Sequence, residues 1–163
     1  MPQKRSPSSR SRLSEPKAAE EKADQSKLLG LVGYNCRRSY LCILEVYRKR
    51  MGKFHLKPVQ YSVLALVQSN PNLNQKQLSQ TLDIKPPNVA TLLDRLEARK
   101  LLVRRKDQPD KRFHSLALTP LGLRVFEEAE ATVNSLEREA TAALSESERG
   151  ELMRLLQKVF LAG

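Results

Sequence analysis

Tryptophan is absent, aromatic residues make up only 5% of the chain, and there are two Cys, two His and six Gly in 163 residues. Each scarcity removes a class of function. Proteins that hold single-stranded nucleic acid stack bases on aromatic rings, and this chain has few to offer. His55 and His114 stand apart, with no nucleophile–base spacing, Gly-rich phosphate loop or metal-ligand pattern around them. The sequence therefore predicts no enzyme, no catalytic residue, no metal and no cofactor. Cys36 and Cys42 fall on different faces of a predicted helix, which is neither a disulfide framework nor a zinc pattern. No run approaches the roughly 18 consecutive apolar residues of a membrane span. The first 26 residues lack the apolar stretch of a secretory signal, so a cytoplasmic protein without a membrane partner is expected.

Positive charge is what the chain has in excess, at net +11 with a pI near 10.0. It is unevenly spread. Residues 120–163 hold five Lys/Arg against eight Asp/Glu, whereas residues 1–119 hold 24 against 10. A basic front and middle with an acidic end points to a polyanion partner for one part of the molecule. Residues 1–26 are rich in Ser, Pro and charge and read as a disordered, solvated tail.

From Leu28 the pattern turns helical. Leu29, Val32, Cys36, Tyr40, Ile43, Tyr47 and Met51 form one apolar stripe over about six turns, ended by Gly52. Pro58 suits the first turn of a second helix carrying Val63, Leu64, Leu66 and Val67. Asn74 with Gln77 forms a capping-box pattern opening a short helix. After the break DIKPPN, a helix is predicted from about Pro87 to Arg99, with Val89, Leu92, Leu93 and Leu96 inward. LLVRR and FHSLALT are strand-like about a KDQPDK turn. Thr119-Pro120 starts a long helix, and Ser145 with Glu148 caps a last one striped with Leu152, Leu155, Leu156, Val159 and Phe160.

The fold class expected is mainly α: a winged helix-turn-helix over 58–119, flanked by long helices at 27–57 and 120–163. Those flanking helices carry more apolar surface than the middle unit can cover, which suggests that they pack together and against a second chain. In a helix-turn-helix the last helix enters the major groove and its first residues meet base edges.

The stretch from Asn74 to Gly122 resembles the MarR family of bacterial transcription regulators. The likeness lies in D-R-L-E (Asp94 to Glu97), L-V-x-R (Leu102 to Arg105), D-x-R (Asp110 and Arg112) and L-x-L-T-P-x-G (Leu116 to Gly122). With the flanking helices it extends over 27–163. The resemblance implies a homodimer, a pseudo-palindromic double-stranded DNA operator and a ligand-responsive repressor. It assigns base contact to Lys85, Pro87, Asn88 and Thr91, and a phosphate clamp to Arg95. Asn pairs bidentately with adenine and Thr touches a thymine methyl or a phosphate; the other role open to Asn88 is satisfying N–H groups of the first helical turn. Gln75, Lys76 and Gln77 become phosphate contacts. On the wing, Arg112 reaches the minor groove, Asp110 braces the tip, and Lys111, Lys106 and Arg105 add phosphate contacts. Members commonly carry Gly after E-x-R; Lys100 stands there instead, and a left-handed cap at a non-Gly residue costs about 1 kcal/mol.

The resemblance also implies an effector cleft between the flanking helices and the DNA-binding lobe. The sequence feature nearest to it is Tyr34, Arg37, Arg38 and Tyr40, two adjacent arginines between tyrosines, suited to an aromatic carboxylate or its coenzyme A thioester. Solvent- or DNA-facing arginines are the competing reading. Peroxide sensing through Cys36 is a second alternative, opposed by its place on the apolar stripe, where a buried thiol is inert. A non-specific architectural DNA-binding protein is a third.

Overall fold

The computed structural model describes residues 23–105 and 114–161. The expectations for residues 1–22 and for Lys106, Asp110, Lys111 and Arg112 lie outside the described residues. Ten elements follow one another: α1 (Ser26–Leu29), α2 (Val32–Met51), a 3-10 turn (Gly52–Phe54), α3 (Pro58–Ser69), α4 (Gln75–Thr81), α5 (Pro86–Ala98), β1 (Leu102–Arg105), β2 (Ser115–Leu118), α6 (Pro120–Ala140) and α7 (Glu146–Leu161). This is the mainly helical, winged arrangement the periodicities predict.

The first stripe is interrupted where the pattern shows continuity. Helix α1 stops at Gly30, Leu31 is extended at φ −102°, and α2 begins afresh at Val32. Asn35 seals the break, its amide donating to the carbonyls of Leu29 and Leu31 at 2.8 Å each. Only the far end of the stripe, Tyr47 and Met51, is buried; Leu29, Val32, Cys36 and Tyr40 are exposed in the single chain. Cys36 therefore departs from the expected burial, and Cys42 is exposed as well.

Caps fall where the sequence puts them. The Asn74 side chain accepts from the Gln77 N–H at 2.9 Å, and the Gln77 side chain accepts from the Asn74 N–H at 3.0 Å. Ser145 and Glu148 exchange the same pair of bonds before α7. Each such cap satisfies donors that the helix itself leaves unpaired, worth about 1 kcal/mol.

One apolar core joins these pieces. Val63, Leu64, Leu78, Val89, Leu93 and Leu96 are fully buried between α3, α4 and α5. The core runs on through Leu102 and Leu116 of the sheet to Met51, Phe126, Ala129 and Leu136, which seat the lobe against α2 and α6. Tyr61 and Phe126 stack with ring centres 5.8 Å apart. The sheet is antiparallel with Leu102 opposite Leu118 and Arg105 opposite Ser115, and Asn74 adds a bridge to Ser115. Nothing on α7 is buried: Leu152, Leu155, Leu156, Val159 and Phe160 all stand open. Among the described residues, no helix is long and apolar enough to cross a membrane.

Candidate nucleic-acid interface and effector cleft

Helix α5 follows α4 through a turn that Ser79 holds shut. Its hydroxyl donates to the Ile84 carbonyl at 2.5 Å and its carbonyl accepts from the Ile84 N–H at 3.0 Å, while Asp83 takes a left-handed φ of 49°. Pro86 and Pro87 occupy the first two helical positions, so two of the usual free donors do not exist. The N–H groups of Asn88 and Val89 are directed to the Lys85 carbonyl, at 2.9 and 3.2 Å. The tip of α5 thus lacks the main-chain anion cradle common at helix starts. What it shows is side chains. Lys85, Pro87, Asn88 and Thr91 are all exposed there, Arg95 is exposed in the last turn, and Asn88 does not serve as a cap. The Thr91 hydroxyl donates to the Pro87 carbonyl at 3.1 Å, which leaves its oxygen as an acceptor and its methyl for contact. Beside them Lys76 and Gln77 are exposed at the start of α4. Gln75 is half-buried and donates a long bond, 3.4 Å, to the Pro86 carbonyl across the turn.

The far end of α5 is tied instead of free. Lys100 takes φ 57°, its N–H reaching the Glu97 carbonyl at 2.7 Å and the Leu101 N–H reaching the Leu96 carbonyl at 3.0 Å. These are the two bonds of a Schellman termination, made here without Gly. The Thr119 hydroxyl donates to the Lys100 carbonyl at 2.5 Å and accepts from the Gly122 N–H at 2.9 Å, so one side chain both closes α5 and caps α6. A Cβ at Gly122 would stand 1.8 Å from the Leu101 carbonyl oxygen, which explains the glycine in L-T-P-x-G.

The D-R-L-E carboxylates have a task that the sequence does not state. Asp94 and Glu97, one turn apart, both pair with Arg104 at the root of the wing; the Asp94 bond is 2.9 Å, and Glu97 also accepts the Arg104 main-chain N–H at 3.1 Å. Arg105, on the opposite strand face, is exposed beside a hollow of about 490 Å³ shared with Pro71, Asn72 and Leu118.

A larger cleft of about 670 Å³ opens between α2 and the start of α3. Leu44, Tyr47, Met51 and Leu56 give it an apolar floor; Arg48, His55 and Lys57 stand on its lining as exposed polar groups. Of Tyr34, Arg37, Arg38 and Tyr40, the structure brings only Tyr40 to the cleft. Tyr34 donates to Gln25 at 2.7 Å, and the two arginines are exposed about a turn nearer the helix start. Tyr47 escaped the sequence reading because it sits on the stripe like any core residue. Its hydroxyl is buried without a hydrogen-bond partner among the described residues. Burial, then the neighbouring Tyr61, pushes its pKa up to about 12, so it remains a neutral donor at physiological pH.

Comparison with known proteins agrees with this geometry. The sequence model of the MarR family matches residues 56–112. The solved structure of a transcriptional repressor, CouR, bound to a 23-mer DNA duplex superposes with a TM-score of 0.81 at 33% identity, covering 85% of this chain and 99% of that one. The chain belongs to the MarR family. CouR bound to p-coumaroyl-CoA superposes with a TM-score of 0.76 at 32% identity, covering 85% of this chain and 97% of the other. A proposed transcriptional regulatory protein for the hcr operon of Thauera aromatica is 26% identical over 134 residues, 82% of this chain and 81% of that protein. This MarR-family protein is a DNA-binding transcription regulator.

Proposed function

We propose that the protein is a homodimeric repressor, released from a pseudo-palindromic operator by an aromatic carboxylate or its coenzyme A thioester bound in the α2–α3 cleft. The observation that carries the effector is the lining of the cleft, apolar at Leu44, Tyr47, Met51 and Leu56 with Arg48, His55 and Lys57 exposed beside it. The apolar floor suits an aromatic acyl group, and Arg48, Lys57 and His55 suit a carboxylate or phosphates. Arg37 and Arg38 extend the positive surface along α2 for the longer thioester. That CouR was solved with p-coumaroyl-CoA supports this class of ligand.

The apolar faces of α1, α2 and α7 support dimerisation: Leu29, Val32, Val159 and Phe160 are each at least 60% exposed in the single chain. In the dimer the 27–57 and 120–163 helices form the interface, and two 58–119 lobes face the DNA about 34 Å apart, one helical turn. On each lobe Lys85, Pro87, Asn88 and Thr91 meet base edges, Asn88 reading adenine and Thr91 touching a thymine methyl or a phosphate, and Arg95 clamps phosphate. Gln75, Lys76, Gln77, Arg105, Lys106 and Lys111 add backbone contacts, and Arg112, braced by Asp110, enters the minor groove. A ligand in the cleft favours a lobe spacing that no longer fits, and needs to prefer that state by only about 1–3 kcal/mol.

The test is operator binding by fluorescence anisotropy at physiological salt, with p-coumaroyl-CoA as the probe. Release is expected, and Arg48→Ala should raise the concentration needed by at least about 10-fold, one charge-assisted hydrogen bond, with DNA affinity unchanged. Failure of both p-coumarate and its thioester to release DNA would eliminate this effector class. Equal affinity for every duplex would replace the operator-specific reading with an architectural one.

A further inference from the structure

The cleft and the C-terminal end of α5 are joined by one side chain. Arg99, the C-cap residue of α5, is half-buried and donates through Nη1 to the His55 carbonyl at 2.7 Å and through Nη2 to the Phe54 carbonyl at 2.8 Å. Those carbonyls end the 3-10 turn that continues α2, where a helix leaves its last C=O groups without internal partners and favours a cation. His55 itself is held in a left-handed conformation at φ 50°, with its N–H bonded to the Gly52 carbonyl at 3.1 Å. Gly52, His55 and Lys57 all line the cleft. The turn that forms one wall of the cleft is therefore gripped by the end of the helix that faces DNA.

A guanidinium suits this task because its planar fork holds two acceptors in fixed geometry, which a point-charged ammonium does not. The grip is also placed where a small movement matters. Lys100, the next residue, is bound to Thr119 at the start of α6, so the end of α5 is held by both long helices at adjacent residues. A left-handed non-Gly turn is sparsely populated and persists only while its surroundings enforce it. Loss or displacement of the Arg99 bonds gives that turn a second arrangement to relax into.

We propose that Arg99 is the positioning residue that couples the cleft to the recognition helix, transmitting movement of the Phe54–His55 turn to α5 and holding of α5 back to the turn. This rests on α5 being the recognition helix. Coupling between two sites is reciprocal, so it can be read from the DNA side with no cleft ligand at all.

The experiment is amide hydrogen exchange on the full chain, free and bound to a duplex selected from a random-sequence library, for wild type, Arg99→Gln and Arg99→Lys. In the wild type, DNA should slow exchange on α5 and also across residues 52–57 by at least about fivefold, the low end of intersite coupling. In Arg99→Gln the slowing on α5 should persist while that at 52–57 falls away; Arg99→Lys should retain part of it. A merely structural Arg99 would speed exchange at 52–57 in both states and leave the DNA-dependent slowing intact, which overturns the proposal. Protection of α5 without protection of 52–57 in the wild type overturns it too, and leaves the recognition helix in place. No protection of α5 removes the recognition helix and this coupling together. Because no effector is added, the outcome is independent of whether p-coumaroyl-CoA binds.

Discussion

The two ends of α5 are built on opposite plans. At the start, two prolines remove donors, the remaining N–H groups turn back on Lys85, and Lys85, Pro87, Asn88 and Thr91 stand exposed. At the end, Arg99 grips the α2 turn, Lys100 closes a Schellman motif, Thr119 binds its carbonyl, and Glu97 with Asp94 holds Arg104 of the wing. About 20 Å of helix separates the two. The contrast is between an end fixed by hydrogen bonds and an end left uncommitted, which is what the reading role proposed for α5 requires.

The largest expected effect comes from breaking the fixed end. Gly122→Ala places a Cβ against the Leu101 carbonyl, a backbone atom with no rotamer to move into. Either the α6 start or the α5–β1 link must shift, which also loosens the Thr119 bonds. A loss of more than about 3 kcal/mol is expected in urea unfolding, at the upper end for overpacking. A stability within 1 kcal/mol of wild type, as a rough bound on surface-like behaviour, would show that this junction yields more easily than its geometry implies.

The free end should break differently. Asn88→Ala removes an exposed side chain that caps nothing, so unfolding should be unchanged while operator affinity falls by about 1–3 kcal/mol, and discrimination relaxes at one base pair. Competition anisotropy against single-substituted duplexes separates base reading from backbone contact. A uniform loss over all sequences would make Asn88 a phosphate contact instead.

What the sequence disclosed and what it hid divide along the same line. Caps at Asn74, Thr119 and Ser145 were legible because donor and acceptor lie within three residues and each uses a characteristic side chain. The exposed tip was legible because Pro-Pro-Asn after a break has few other places to be. The Gly30 interruption was not, since the apolar spacing runs on across it. Arg99 was invisible for a physical reason: its partners are main-chain carbonyls 44 and 45 residues away, and a carbonyl carries no residue signature. Arg104 lay within reach, because carboxylates at positions i and i+3 ahead of a strand arginine share one helix face. Arg37 and Arg38 drew notice by being adjacent, yet adjacency on a helix turns side chains about 100° apart, and the cleft uses the Tyr40, Leu44 and Tyr47 spacing.

The smallest effect would sharpen the contrast most. Lys100 is exposed and left-handed at φ 57°, a conformation that costs an L side chain about 1 kcal/mol and glycine almost nothing. Lys100→Gly should therefore stabilise the chain slightly, by up to about 0.6 kcal/mol once the greater unfolded-state freedom of glycine is set against it. The same substitution removes a cation. If the C-terminal end of α5 only holds the helix, operator affinity and its salt dependence should not move. If Lys100 also touches a phosphate, affinity should fall and the slope of log affinity against log salt should shrink by about 0.9. A more stable protein with an unaltered salt slope would remove Lys100 from the DNA contacts. A reduced slope would mean that one residue serves both ends of the plan, and that the lysine stands where glycine is the easier choice because the cation is needed there.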